Sequence, residues 1–177
     1  MEKTTEGGDA DLTFSEEDNI DDMYLTFALA GEEYGINIGF VTEIAGMQRV
    51  MEVPDMPDFI KGVINLRGKV IPVMDVRLRF GMNEKEYSER TVIIVLDVND
   101  VPVGLAVDAV SDVREIPESN IDLPPQYGCH RDGRGIIRGL GKQGDQVAII
   151  IDIPRLISDQ ATVDLRQDLE ALQSADA

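Results

Sequence analysis

The sequence predicts an all-β chain: two small antiparallel barrels of about five strands each, packed together and followed by a short C-terminal helix. Short alternating apolar runs, Gly and Pro punctuation between them, and a repetition of the whole pattern point to this architecture. Helical periodicity is nearly absent before residue 158.

From Met1 to Asp22 the chain is polar, acidic and aperiodic, the composition of a disordered tail that cannot bury enough surface to offset its ordering entropy. Alternation then begins. Leu25, Phe27 and Leu29, a turn at "AGEE", then Tyr34, Ile36 and Ile38 read as a hairpin with one buried face. Ile94, Leu96 and Val98, a turn near Asn99 and Asp100, then Val103, Leu105 and Val107 repeat it. The two hairpins align without a gap, with Gly35 on Gly104, Val41 on Val110 and Ile44 on Val113. Farther on, Ile60, Gly62, Val70, Val73, Asp75 and Val76 match Ile137, Gly139, Val147, Ile150, Asp152 and Ile153 at the same mutual spacing. The second copy carries an insertion, "PPQYGCHRDGRG", whose Pro and Gly content marks a loop.

One such barrel buries only about 60% of its unfolded surface and is marginal alone, so the two are expected to pack against each other. Leu165, Leu169 and Leu172 stand at i, i+4, i+7, with Ser158 or Asp159 as cap, and predict a terminal helix covering one barrel. The expected layout is a tail over 1–22, paired barrels over 23–158, and a helix and tail over 159–177. The first barrel is mainly 36–90 and the second mainly 91–158, with strand exchange open at the junction.

Among the 177 residues, 16 Lys and Arg face 34 Asp and Glu, a net charge of −18. That charge repels nucleic acid phosphates and anionic lipid, so neither nucleic acid nor a membrane surface is an expected partner. No apolar run reaches about 18 residues and the N-terminus is acidic, which predicts a cytoplasmic protein without membrane insertion. The single cysteine excludes an internal disulfide framework.

Catalytic chemistry finds little support. Cys129 and His130 are too few for a structural zinc site, and neighbours in sequence rarely form a nucleophile and base pair. "GLGKQGD" lacks the first glycine and the Ser or Thr of a phosphate loop, and "DADLTFSEED" lacks the central glycine of a calcium loop. Asp75 and Asp152 stand at equivalent positions and could form a carboxylate dyad, but Val76-Arg77 and Ile153-Pro154 follow them instead of the Thr/Ser-Gly turn. The alternative is that each caps a short helix, "VRLRFG" or "IPRLIS". A phosphorylated regulator would need an acidic pocket on a doubly wound sheet, for which no pattern exists.

"EEYGINI", "VTEI", "FIKGVINLRG", "IPVMDVRLRF", "VGLAVDAVSDV" and "RGLG" occur in an order that resembles the CheW family of chemotaxis coupling proteins, over about residues 23 to 158. The resemblance implies two SH3-like barrels around a shared apolar interface, no catalytic activity, no cofactor and no metal. It implies a scaffold linking transmembrane chemoreceptors to the histidine kinase CheA, at the cytoplasmic face of receptor arrays, with flagellar and pilus outputs both open. The chain has no room for a kinase core or an appended receiver domain, so a free-standing coupling protein is the better match. The expected contacts are the receptor's helical signalling tip and the kinase's regulatory domain; by the family pattern the end of each barrel meets a complementary barrel of that domain, and exposed strand edges favour such pairing.

The same resemblance assigns receptor coupling to Arg67 and to the "VTEI" segment, here Val41 and Glu43. Arg67 is expected at a hairpin turn, at the rim of a groove between the barrels, paired with Glu43 so that its remaining donors face the receptor. A solvated turn arginine is the plain alternative. Val41, Gly62 and Val113 are the expected apolar or close-approach contacts, with core packing a nearly equal reading for Val113. Helix-in-groove binding over less than about 1,200 Å² should be weak per contact and strengthened by array multiplicity.

Overall fold

In the computed structural model, residues 20–123 and 135–157 are described. The tail up to residue 19, most of the insertion with Cys129 and His130, and the segment from residue 158 lie outside them. Ile20–Asp22, the end of the segment expected to be a disordered tail, form a 3-10 turn. The turn is anchored where the Asn37 side chain donates to the Asp21 carbonyl at 2.9 Å.

β1 (Met23–Leu29) and β2 (Glu32–Asn37) form the first hairpin. Its turn is Ala30-Gly31, with φ of 54° and 82°. Positive φ at both central residues is the type I′ geometry, whose twist matches that of paired strands. β3 (Val41–Gly46) follows, then β4 (Ile60–Leu66) and β5 (Lys69–Asp75), joined at Arg67-Gly68 with φ of 53° and 86°. The second copy gives β6 (Val92–Val98) and β7 (Val101–Val107), turning at Asn99-Asp100 with φ of 54° and 67°. β8 (Ala109–Glu115), the two-residue β9 (Ile121–Asp122), β10 (Ile137–Gln143) and β11 (Gln146–Ile151) complete the strands.

The strand order is β3-β6-β7-β5-β4 in one sheet and β8-β1-β2-β11-β10-β9 in the other. The copies have therefore exchanged hairpins. β6 and β7 of the second copy complete the five-stranded sheet, while β1 and β2 of the first complete the six-stranded one. A division between residues 90 and 91 consequently does not separate the barrels: residues 41 to 107 supply one sheet, and the other takes strands from both ends of the described chain. The exchange has a physical source. β1 and β6 are apolar on both faces, so each hairpin packs as the middle of a layered structure, with a barrel interior on one side and the other barrel on the other.

Three apolar clusters result. Ile64, Ile71, Val73, Ile93, Val95 and Ala106 fill the five-stranded barrel. Tyr24, Ile116, Ala148 and Ile150 fill the other. The largest lies between the barrels, where Leu25, Phe27, Leu29 and Ile36 meet Ile94, Leu96, Val103 and Leu105. Adjacent residues on one strand enter different clusters, Ile93 and Val95 inward, Ile94 and Leu96 toward the other barrel, as the two-residue period requires.

Each copy ends in one helical turn, α1 (Val76–Arg79) and α2 (Ile153–Leu156). Asp75 accepts from the Leu78 N–H at 3.3 Å and Asp152 from the Arg155 N–H at 3.1 Å. Both aspartates are thus helix caps, each on its own barrel, and the carboxylate dyad is replaced by two equivalent structural roles. Asp75 is buried and its second oxygen accepts from the Tyr87 hydroxyl at 2.8 Å. The α turns also join the barrels: Arg79 stacks over the Phe59 ring at 5.1 Å and donates to the Leu156 carbonyl at 3.1 Å.

Candidate functional site

Asn65, Leu66, Arg67, Gly68 and Lys69 form the tip of the β4–β5 hairpin. The Asn65 side chain accepts from the Gly68 N–H at 2.9 Å and closes the turn. Arg67 takes the first left-handed position, which points its side chain away from the sheet; that side chain is 77% exposed. Its Nη1 meets Glu43 Oε2 at 2.9 Å, so the pairing expected of these two residues is present. Glu43, at 29% side-chain exposure, is the more firmly held partner. β3 and β4 are the two edges of the five-stranded sheet. The ion pair therefore ties the edges together where the barrel closes.

A cleft of about 260 Å³ opens beside this pair. Thr42, Glu43, Leu66, Arg67, Lys69, Ile71, Val95, Leu96, Asp97, Asp100 and Pro102 line it, all from the five-stranded barrel. Leu96, which the cleft shares with the central apolar cluster, lies behind it. Arg67 stands at the end of one barrel, whereas the seam between the barrels is filled by the central apolar cluster. β5 and β7 run parallel, so the Arg67-Gly68 and Asn99-Asp100 turns fall at the same end and both reach the cleft. Sequence reasoning missed Lys69, Asp97 and Asp100, because only the hairpin exchange brings the second copy's turn beside the first's.

The other expected contacts separate. Val41 pairs with Leu96 at the start of β3, half-buried against the central cluster. Val113 pairs with Leu25 on β8 in the other sheet, also half-buried against that cluster. Gly62 is buried, with φ of 145°, and a Cβ there would stand 2.0 Å from the Met51 carbonyl oxygen. Its duplicate Gly139 would meet the Asp122 carbonyl oxygen at 2.4 Å. Both glycines let a crossing strand approach, Met51 through its bridge to Val63 and Asp122 through β9. Close approach at Gly62 is thus to the chain's own backbone at Met51.

Duplication also isolates what is peculiar to Arg67. Five residues beyond the matched Gly62 and Gly139 come Arg67 and Gly144, both left-handed at φ of 53° and 61°. Gly144 satisfies that backbone at no steric cost; Arg67 does not. In the second barrel Gln143 of β10 donates to the Glu115 carbonyl of β8 at 3.2 Å, and the nearby cation, Lys142, is paired with Asp122.

Elsewhere, Arg77 forks onto Asp108, with Nε to Oδ1 at 3.0 Å and Nη2 to Oδ2 at 2.6 Å. The guanidinium hydrogen bond holds the Asp108 carboxyl below the usual carboxylate range against the opposing effect of burial. Asp108 also accepts from the Ala30 N–H at 3.0 Å, linking α1 of one barrel to the β1–β2 turn of the other. Burial, and then the hydrogen bond to Asp75, push the Tyr87 phenol far above its ordinary value. Among the described residues, no group of three or more His, Cys, Asp or Glu is placed to hold a metal ion. No helix among them is long and apolar enough to cross a membrane.

The family model described as the CheW-like domain matches residues 23–161. The chain is 40% identical over 137 residues to the chemotaxis protein CheW of Klebsiella aerogenes, covering 77% of this chain and 82% of that one. It is 35% identical over 138 residues to the Bacillus subtilis protein of the same name, covering 78% and 88%. The crystal structure of the scaffolding protein TtCheW from Thermoanaerobacter tengcongensis superposes with a TM-score of 0.72 at 35% identity, covering 80% of this chain and 95% of that one. With the paired SH3-like barrels, these matches establish that the chain belongs to the CheW family, the chemotaxis scaffolds that couple chemoreceptors to the histidine kinase CheA.

Proposed function

We propose that this chain is a non-enzymatic adaptor, working at the cytoplasmic face of receptor arrays, that grips the helical signalling tip of a chemoreceptor and the regulatory domain of CheA at separate surfaces. The observation that carries the receptor half is Arg67: a strained, exposed arginine oriented by Glu43, at a turn whose duplicate is a plain glycine. Strained backbone retained at an exposed position is a mark of a site with a use. Val41 and Val113, both half-buried at the edge of the shared core, supply apolar contact. Arg67 supplies orientation through donors that Glu43 leaves open. The adaptor holds both partners in register, so that a small receptor shift changes the kinase's conformational populations.

The kinase half rests on the sheet edges. β8 and β9 end one sheet, and β3 and β4 the other. β4 is bridged by Met51 and tied to β3 through Arg67 and Glu43, so the edge strands β8 and β9 are the ones that can accept a strand of a similar barrel. Pull-down of the purified chain with a receptor signalling-tip fragment and with the CheA regulatory domain tests both halves. Each should be retained by the wild type, and Arg67→Ala should lose the receptor fragment alone. Retention of neither partner would contradict the proposal.

A further inference from the structure

We infer that Asp97 and Asp100 form a second wall of the receptor site, selecting a partner helix that sets a basic side chain beside an apolar one; this rests on the receptor-coupling reading above. The cleft is charged in two separate halves. Arg67 and Lys69 stand at the β4–β5 turn, and Asp97 and Asp100 stand at the β6–β7 turn, with Ile71 and Val95 buried beneath them.

Opposite charges lining one small space would ordinarily pair, yet here they do not. Arg67 is engaged by Glu43 on the neighbouring edge. Lys69 makes no ion pair among the described residues, and neither does Asp100. The reason is stiffness. Both turns are two-residue loops with positive φ at each position, fixed by Asn65 on one side and by Asp97, whose Oδ1 accepts from the Asp100 N–H at 2.9 Å, on the other. The walls cannot close on each other, so the charges are left for an occupant.

At about 260 Å³ the cleft falls below the roughly 300–1,000 Å³ of small-molecule sites. It suits one or two side chains from a surface laid across the barrel end. A helix carrying a base and an acid one turn apart, i and i+4, with an apolar residue between them, matches both walls and the floor. The chain's charge of −18 favours approach of the basic face and disfavours an all-acidic one.

The test compares wild type with Asp97→Asn/Asp100→Asn, Asp97→Lys/Asp100→Lys and Arg67→Ala. Affinity for a receptor signalling-tip fragment is measured at two salt concentrations, with affinity for the CheA regulatory domain and thermal unfolding alongside. Asparagine at 97 keeps an acceptor for the Asp100 N–H, so the turn survives neutralisation. Neutralisation should weaken receptor binding about fivefold and flatten its salt dependence. Charge reversal should weaken it more than tenfold, with kinase binding and unfolding unchanged. If Arg67→Ala weakens receptor binding while both aspartate pairs leave it intact, the acidic wall is refuted and the Arg67 reading stands. If Arg67→Ala also has no effect, the receptor reading falls with it. A loss confined to the kinase domain would overturn the assignment to the receptor.

Discussion

Arg67 holds a backbone conformation that costs an L residue roughly 1–2 kcal/mol. Its exposed ion pair with Glu43 returns about 0.2–1 kcal/mol. The difference of about 1 kcal/mol is offset in the variant by the larger chain entropy that glycine loses on folding, so Arg67→Gly should leave unfolding free energy within about 1 kcal/mol of wild type in a urea titration. Gly62 behaves oppositely. With a backbone oxygen where its Cβ would be, Gly62→Ala should cost about 2–4 kcal/mol by the same titration, since the Met51 crossing must shift. The sequence showed both glycine pairs, but could not distinguish a contact with a receptor from a contact with the chain's own backbone. Arg67 and Glu43 were legible only through their motif. The bulge that turns Glu43 toward Arg67, between Val41 and Glu43, has no local signature.

At the scale of elements, turns and strands were legible because their chemistry is local: "AG", "RG" and "ND" all mark left-handed turns, and alternation marks faces. Which hairpin joins which barrel was not legible. It is decided by contacts far apart in sequence, such as β5 with β7 and β11 with β2. The pins between elements titrate. Asp108 is held below its ordinary value of 3.8 by Arg77. A folded-state value below the unfolded one contributes stability that is present above the unfolded value and lost as pH falls through the folded one. Wild type should therefore lose stability on acidification below about pH 4 partly through this group. Asp108→Asn should be less stable at pH 7, by about 1–3 kcal/mol, with a shallower acid limb in pH-dependent melts. A matching acid limb in both proteins would exclude that role. Tyr87→Phe should cost about 1–2 kcal/mol through the buried Asp75 oxygen it leaves unpaired, without altering receptor binding.

The whole molecule is two barrels that cannot be separated without opening their largest core. Because each barrel contains strands from both copies, and the central cluster draws on both sheets, unfolding should be a single cooperative transition in calorimetry. Phe27→Ala, deep in that cluster, should lower stability by about 3–5 kcal/mol while keeping one transition. Two resolved transitions would show that the barrels are independent. A shared core makes the scaffold a rigid spacer, as holding two partners in register requires, and leaves recognition to the surfaces at its ends and edges. The most direct test of that account is titration calorimetry of a receptor signalling-tip fragment into wild type and Arg67→Gly, with thermal unfolding of each recorded in the same buffer. The account predicts at least tenfold weaker binding for the variant with its melting unchanged; equal affinity, or a loss of binding that accompanies a loss of fold, would contradict it.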